Sequence, residues 1–182
     1  MPESKAKTAS DAEPQSTQHP SPLGTLWSSW TQNGLFRLSW QAPGHEYPIS
    51  TATLADQNAS ILDALLKDYF QGKKVTWNDI MLDRSGWTPF MERVYQHCQA
   101  IPYGNTVTYK ELATLAGNAK ASRAVGAAMS RNRVLLVIPC HRVITTDGQL
   151  RGYSAKGGIN TKHRLLELER LGHWPQDLFA NE

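Results

Sequence analysis

Ser122-Arg-Ala-Val-Gly-Ala-Ala-Met-Ser-Arg-Asn-Arg-Val-Leu-Leu-Val-Ile-Pro-Cys-His-Arg142 changes character midway, and that change organises the rest of the chain. Its first half predicts a short helix over Ser122 to Arg131 with Ser122 as the N-cap. Ala124, Gly126, Ala127 and Ala128 leave almost no side-chain bulk on that helix, although Gly126 alone costs about 1 kcal/mol relative to alanine. Two explanations fit: close packing against another helix, or entry into a DNA minor groove only about 6 Å wide. Arg123, at the start, then meets either DNA or solvent. The second half, Val134 to Ile138, is an apolar run too short for a typical helix and rich in β-branched residues. It predicts buried extended chain that delivers Pro139-Cys140-His141 outward from the core.

Working upstream, Thr108 to Ala116 reads as another short helix and Gly117-Asn118 as a turn, which completes a helix-turn-helix outline. Thr88-Pro89 opens a further helix, with Thr as N-cap and Pro at the first position. Phe90, Val94 and Cys98 recur on it every four residues, so Cys98 reads as a small core residue. Earlier still, Leu26-Trp-Ser-Ser-Trp30 and Leu35-Phe-Arg-Leu-Ser-Trp40 flank Asn33-Gly34, a strong hairpin signal. Asp56 to Phe70 places Ile61, Leu62, Leu65, Leu66, Tyr69 and Phe70 at helical spacing, for a helix laid on that sheet. Met1 to Pro22 carries no large apolar side chain beyond Met1 and predicts a disordered tail. The expected organisation is therefore a tail over 1–22, an α/β unit over 23–86, a helical unit carrying the site over 87–174, and a C-terminal tail over 175–182.

Net charge of +3 hides an imbalance along these segments. Met1 to Gln99 holds 8 Lys+Arg against 10 Asp+Glu, whereas Ala100 to Arg170 holds 11 against 4. The remaining Leu171 to Glu182 adds two acids, Asp177 and Glu182. Basic charge gathered in the segment with the helix-turn-helix fits a polyanionic partner. Two cysteines without a CxxC or paired-histidine spacing exclude a disulfide scaffold and give no reason to expect a metal. The sequence has no apolar run near the ~20 residues of a membrane span, nor a signal-peptide core, so a soluble, cytoplasmic protein is expected.

Cys140 leaves the buried run beside His141 and Arg142, where nearby cations would stabilise a thiolate nucleophile. A structural cysteine beside a surface histidine and arginine is the alternative reading. On extended chain, neighbours point to opposite sides, so His141 would reach the sulfur only through water. A helix over Thr161 to Leu171 buries Leu165, Leu166 and Leu168, and Glu169 falls inside that stripe while Glu167 falls opposite. A carboxylate facing the core needs a partner, which nominates Glu169 to orient His141.

Ile138-Pro-Cys-His-Arg-Val143 resembles the active-site signature of the 6-O-alkylguanine-DNA alkyltransferases. The likeness extends from about Thr88 to Leu171, through Ile101-Pro-Tyr-Gly104, Thr108-Tyr-Lys-Glu-Leu-Ala113, Ala121-Ser-Arg-Ala-Val-Gly126, Asn132, Gly152-Tyr-Ser154 and Gly157-Gly158. Ser21-Pro-Leu-Gly24 matches more weakly. The resemblance implies a ribonuclease-H-like α/β domain followed by a winged-helix-like helical domain whose helix-turn-helix enters the minor groove of double-stranded DNA. It implies a monomer, nucleoid-associated if bacterial, that rotates an alkylated guanine out of the duplex and takes the alkyl group onto Cys140 once per molecule. By the same resemblance His141 acts through water, oriented by Glu169. Tyr109 assists flipping and protonates the departing base, and Asn132 braces the site. Ser122, Arg123, Ala124, Ala127 and Arg131 would face DNA, with Arg123 filling the vacated space. Met129, Val143, Tyr153 and Ser154 would line the pocket. No cofactor is implied, and no GxGxxG fingerprint is present.

This chain departs from the family pattern where Arg133 replaces a frequent proline, and where Ala155-Lys156 lengthens the loop before the double glycine. Arg151 is bulky for a pocket mouth, so reduced acceptance of large alkyl groups is expected. Competing readings are a non-catalytic damage sensor, a winged-helix regulator and a Cys-His hydrolase. The first two need no reactive thiol, and no second histidine is placed to activate the sulfur for the third.

Overall fold

The computed structural model describes residues 16–43, 52–150 and 152–175. It is a mixed α/β structure, with five α-helices and two small sheets among the described residues. Strands β2 (Leu26–Thr31) and β3 (Gly34–Ser39) pair antiparallel, as the hairpin signal predicts. The turn itself is Gln32-Asn33, one residue earlier than expected, and Gly34 becomes the first residue of β3. Its φ of 126°, and the Met81 carbonyl that any Cβ there would overlap, explain why glycine occupies that place.

A third strand, β1 (Ser16–His19), pairs antiparallel with the other edge of β2. It falls inside the stretch expected to be a tail, while residues 1–15 lie outside the described residues. Polar composition misleads here because an edge strand needs only backbone partners. His19 is its anchor, buried between Ser28 Oγ at 2.9 Å and Asp63 Oδ1 at 3.2 Å. Helix α1 (Ala52–Phe70) begins four residues before the expected Asp56 and lays Leu62, Leu66, Tyr69 and Phe70 against the core. Ile61, expected on that stripe, faces solvent.

Helix α2 (Pro89–Gln99) starts as predicted, with Thr88 Oγ1 accepting from Met91 N at 3.2 Å, and Cys98 is fully buried. A two-residue strand β4 (Val107–Thr108) leads into α3 (Tyr109–Leu115), whose Thr108 and Glu111 form a reciprocal capping box. Helix α4 (Ser122–Ser130) follows, but its N-cap is Ala121 and no side chain caps it, so Ser122 does not play the expected part. Tyr95 on α2 donates to the Ala128 carbonyl at 2.8 Å and fixes the buried side of α4.

Val134 to Ile138 is buried throughout, as its composition predicts, but it is not plain extended chain. Leu136 turns left-handed at φ 68°, and Ile138 N bonds Val134 O at 3.0 Å. Single bridges replace a strand. Leu38 N donates to Arg133 O at 2.8 Å and Leu135 N to Leu38 O at 3.0 Å, so this segment is clamped to the outer edge of β3. A short 3-10 turn (Cys140–Arg142) then leads to β5 (Val143–Ile144), which pairs parallel with β4. Helix α5 (Gly158–Leu171) closes the core with Leu165 and Leu168 and starts earlier than Thr161, after Gly157 at φ 85°. The core is continuous from β2 through α1 to α5. None of the helices described is long and apolar enough to cross a membrane.

Candidate active site

The clamped segment and the 3-10 turn place Cys140 on the floor of a cavity of about 420 Å³, lined by Tyr109, Gly126, Met129, Ser130, Gly152, Tyr153 and Ser154. That volume suits a small ligand. Met129, Tyr153 and Ser154, which the resemblance implies as pocket residues, are among that lining, and so is Tyr109. Val143 is not: its side chain is fully buried in the core while its backbone pairs with Val107. Gly126, Ser130 and Gly152 were not foreseen as lining. A Cβ at Gly126 would meet nothing within 4 Å, so helix packing is not what keeps this position small. On the outer face of α4, Arg123, Ala124 and Ala127 are exposed, Ser122 is half-buried, and Arg131 is exposed just beyond the end.

Cys140 is only 4% exposed. Asn132 Nδ2 donates to its sulfur at 3.2 Å and to Ile138 O at 2.8 Å, while Asn132 Oδ1 accepts from Val134 N at 3.0 Å. One amide therefore ties the end of α4 to the turn and to the thiol. Burial pushes the Cys140 thiol up, opposed by the Asn132 hydrogen bond, the Lys162 charge and the backbone amides of Cys140 and His141. This corrects the expectation of a ready thiolate: desolvation outweighs the cations, and the resting group is the thiol. A base must take its proton.

His141 is behind it, fully buried, and its geometry follows from the 3-10 turn rather than from alternation along a strand. Its Nε2 lies 2.7 Å from Glu169 Oε1. Arg142 grips the same carboxylate through Nε to Oε2 at 2.9 Å and Nη2 to Oε1 at 3.0 Å, and donates through Nη1 to Ile101 O at 2.6 Å. Gly104 N donates to Oε2 at 3.0 Å, and the Tyr69 hydroxyl to Oε1 at 2.8 Å. Burial would raise the Glu169 carboxyl, but His141 and Arg142 outweigh it and hold it well below the usual carboxylate range. Burial also lowers His141, against the opposing pull of Glu169. The Arg142 guanidinium settles where the proton lies. Arg142 already balances the carboxylate, so Glu169 is ionised and His141 neutral. An ionised Glu169 only accepts, hence Nε2 carries the imidazole proton and Nδ1 is left as the basic nitrogen. Nδ1 bonds no side chain or backbone atom among the described residues.

Two members of this cluster, Tyr69 and Lys162, were not read from the sequence as its parts, and Arg142 was read only as a cation beside the Cys140 thiol, whereas it is bound to Glu169 and Ile101 O. Tyr69 and Arg142 gave no local signal for Glu169, since only the fold brings them to it. Lys162 did carry one: it lies on the α5 stripe of Leu165 and Glu169. It is fully buried, donates to Val143 O at 2.6 Å, and stands 6.0 Å over the Tyr109 ring. Burial lowers its ammonium, and a thiolate at Cys140 opposes that. Glu167 is half-buried and pairs instead with Arg170 at 2.7 Å.

At the junction after α4, Arg133 replaces a proline's stiffness with contacts, donating 2.8 Å to Phe36 O and 2.8 Å to Asp83 O with its guanidinium 3.9 Å over the Phe36 ring. Ala155 is buried and Lys156 exposed, neither lining the cavity. Arg151 lies outside the described residues. Among the described residues no group of three or more His, Cys, Asp or Glu could hold a metal.

A buried thiol at a cavity, with a neutral imidazole held by an ionised Glu169 and a helix-turn-helix beside it, defines a class of cysteine acceptor that works beside a polyanion. Comparison with known proteins agrees. Residues 89–171 match the family described as 6-O-methylguanine DNA methyltransferase, DNA binding domain. A methylated-DNA--protein-cysteine methyltransferase of Mycobacterium leprae is 41% identical over 152 residues, covering 82% of this chain and 88% of that protein. One from Metallosphaera sedula is 43% identical over 118 residues, covering 64% and 72%. The crystal structure of Mycobacterium tuberculosis OGT in complex with DNA superposes with a TM-score of 0.72 at 36% identity, covering 86% of this chain and 92% of that one. The chain belongs to the methylated-DNA--protein-cysteine methyltransferase family.

Proposed function

We propose that this protein repairs duplex DNA directly, moving an alkyl group from the 6-oxygen of guanine onto Cys140 in a single irreversible turnover. The observation that carries the reading is the thiol on the floor of a cavity between α4 and the Tyr153 loop, with a neutral imidazole behind it. Relatives named for this activity, and one solved with DNA, support it.

His141 Nδ1 takes the Cys140 proton through a water molecule, and Glu169 holds the Nε2 proton and the ring orientation. The thiolate attacks the alkyl carbon in line, a C–S bond forms, and the C–O bond breaks with its electron pair left on the purine. Tyr109 donates a proton to that departing base, which leaves as neutral guanine. Burial raises the Tyr109 phenol, and the Cys140 thiolate adds to it once formed, so Tyr109 is protonated and a donor. The thioether product has no acidic proton and is a poor leaving group, so the chain is spent. Asn132 braces the sulfur throughout.

A flipped guanine enters along α4, whose Ala124 and Ala127 let the helix approach the minor groove while Arg123 fills the vacated stack. Division into a ribonuclease-H-like unit over 23–86 and a winged-helix-like unit over 87–174 fits this reading, with β2, β3 and α1 in the first, β1 added to its sheet from outside those bounds, and α2 to α5 in the second. All parts of the site come from one chain, which suits a monomer. The acceptor must remain a free thiol, so a reducing cytoplasm, with DNA of the nucleoid at hand, suits it too. Restricted acceptance of large alkyl groups rests on Arg151 alone, and matched methyl and benzyl rates would end that idea.

The test is intact mass after incubation with a duplex carrying 6-O-methylguanine. A gain of one methylene per chain is expected, and none for Cys140→Ser. Binding of the lesion with no mass change would replace this reading with that of a damage sensor or regulator.

A further inference from the structure

Among the described residues, few buried side-chain polar atoms lack a hydrogen-bond partner, and two of them belong to residues beside the thiol. One is His141 Nδ1, on the chain neighbour of Cys140. The other is the Tyr153 hydroxyl, whose ring shares the Cys140 cavity. Tyr153 as a whole is half-buried, yet its oxygen has essentially no exposed surface, so the ring faces the cavity and the hydroxyl turns inward behind it. Inward lies the His141 and Glu169 cluster. A thiolate at Cys140 and the Glu169 carboxylate both act on the phenol, which in turn acts on Tyr69. Burial raises that phenol well above the ordinary tyrosine value, and the two charges add to it, so the hydroxyl stays protonated.

Unpaired buried polar atoms are rare, because each forfeits its hydration. His141 Nδ1 and the Tyr153 hydroxyl do not bond each other, so one further group must serve both. The proton path from Cys140 to Nδ1 already calls for a water molecule. Such a water accepts from the thiol and donates to the neutral Nδ1, which leaves it one lone pair and one O–H. A tyrosine hydroxyl, donor and acceptor at once, can engage either. Buried waters typically make about three hydrogen bonds, and the thiol, Nδ1 and Tyr153 make up that number. We infer that Tyr153 is a positioning residue for the transfer, its hydroxyl holding the relay water between Cys140 Sγ and His141 Nδ1. The inference rests on the alkyl-transfer reading above. The thiol proton passes to the water and a water proton to Nδ1, so thiolate and imidazolium form and the water is restored. Tyr153 exchanges no proton.

The experiment follows single-turnover transfer across a pH series, by intact mass, from duplex carrying 6-O-methylguanine and from free 6-O-benzylguanine. Y153F keeps the ring as a cavity wall and removes only the hydroxyl. Transfer by Y153F is expected to slow several-fold at neutral pH, the worth of one hydrogen bond, and by the same factor on both substrates. The deficit should narrow as pH rises, because the thiol then loses its proton to solvent without the relay. Affinity for the lesion duplex, compared between C140S and the C140S/Y153F double variant, should stay the same, which separates a lost relay from a lost fold. A Y153F rate equal to that of the unaltered chain overturns the inference. So does a deficit that is constant across pH or far larger for benzyl than for methyl, since Tyr153 would then act only as a wall for the alkyl group. A fall in lesion affinity matching the fall in rate overturns it as well. No transfer by the unaltered chain from either substrate overturns the parent reading and this inference with it.

Discussion

The Tyr69 hydroxyl, on α1, donates at 2.8 Å to the same Glu169 oxygen that receives His141 Nε2 at 2.7 Å. A residue of the N-terminal half thus bears on the basicity of the imidazole one hundred positions from its own carboxylate partner. Burial, with the Glu169 charge adding to it, raises the Tyr69 phenol, so it stays a donor. Removing the hydroxyl by Tyr69→Phe should cost about 1.5–3 kcal/mol, the worth of a hydrogen bond to a charged group. The freed carboxylate oxygen would then hold the His141 proton more tightly. We expect the acid limb of the transfer rate to move up in pH, with a several-fold slower reaction at about pH 6, near the ordinary histidine range. An unmoved limb in the folded variant would remove Tyr69 from the relay.

Transfer needs His141 neutral, and burial places its proton affinity below the ordinary value of 6.5. The acid limb of the single-turnover rate should therefore lie below pH 6.5. Stability follows by linkage: the unfolded histidine binds its proton first, so the fold loses stability as pH falls from 6.5 toward the lower folded value. Glu169 acts in the same sense at lower pH, contributing above its unfolded value of 4.5 and losing that contribution as pH falls through its depressed folded one. Urea melts at matched ionic strength would record both windows. A limb midpoint above 6.5 would contradict a buried, neutral imidazole.

Lys162→Met keeps length and apolar stem but deletes the buried ammonium. The Val143 carbonyl loses a donor, a cost of about 1–3 kcal/mol that removal of a buried charge partly offsets. Stability should change little, whereas the Cys140 thiol rises further and transfer slows by several-fold. Raising the pH should narrow the deficit. A deficit constant across pH would mean that Lys162 acts by packing and not by charge.

Arg133→Ala leaves two carbonyls without donors and uncovers Phe36. We expect a loss of about 2–3 kcal/mol in denaturant melts and a slower transfer, because Asn132 loses the clamp that aims it. Full activity in a destabilised variant would show that the β3 contact holds the fold and not the thiol.

Arg123→Ala should lower transfer from duplex DNA by more than about tenfold relative to transfer from the free base, since only the duplex substrate needs its stack refilled. Equal losses on the two substrates would end the proposed intercalating part of Arg123.

Sequence order alone was enough wherever the governing interaction is local. The helical repeat put Glu169 on the inner stripe of α5, the Thr-Pro pair opened α2, and the cysteine signature marked its own chemistry. Tertiary structure decided what depends on enclosure. Whether Cys140 rests as thiol or thiolate, and which nitrogen of His141 is basic, are set by desolvation and by Arg142, Lys162 and Tyr69. These groups meet only when α1, the 3-10 turn and α5 close on one another. Edge strand β1 and the bend at Leu136 were hidden for another reason: β1 is held by backbone bonds to β2 and the bend by Ile138 N on Val134 O, and backbone bonds leave no mark in the pattern of side chains.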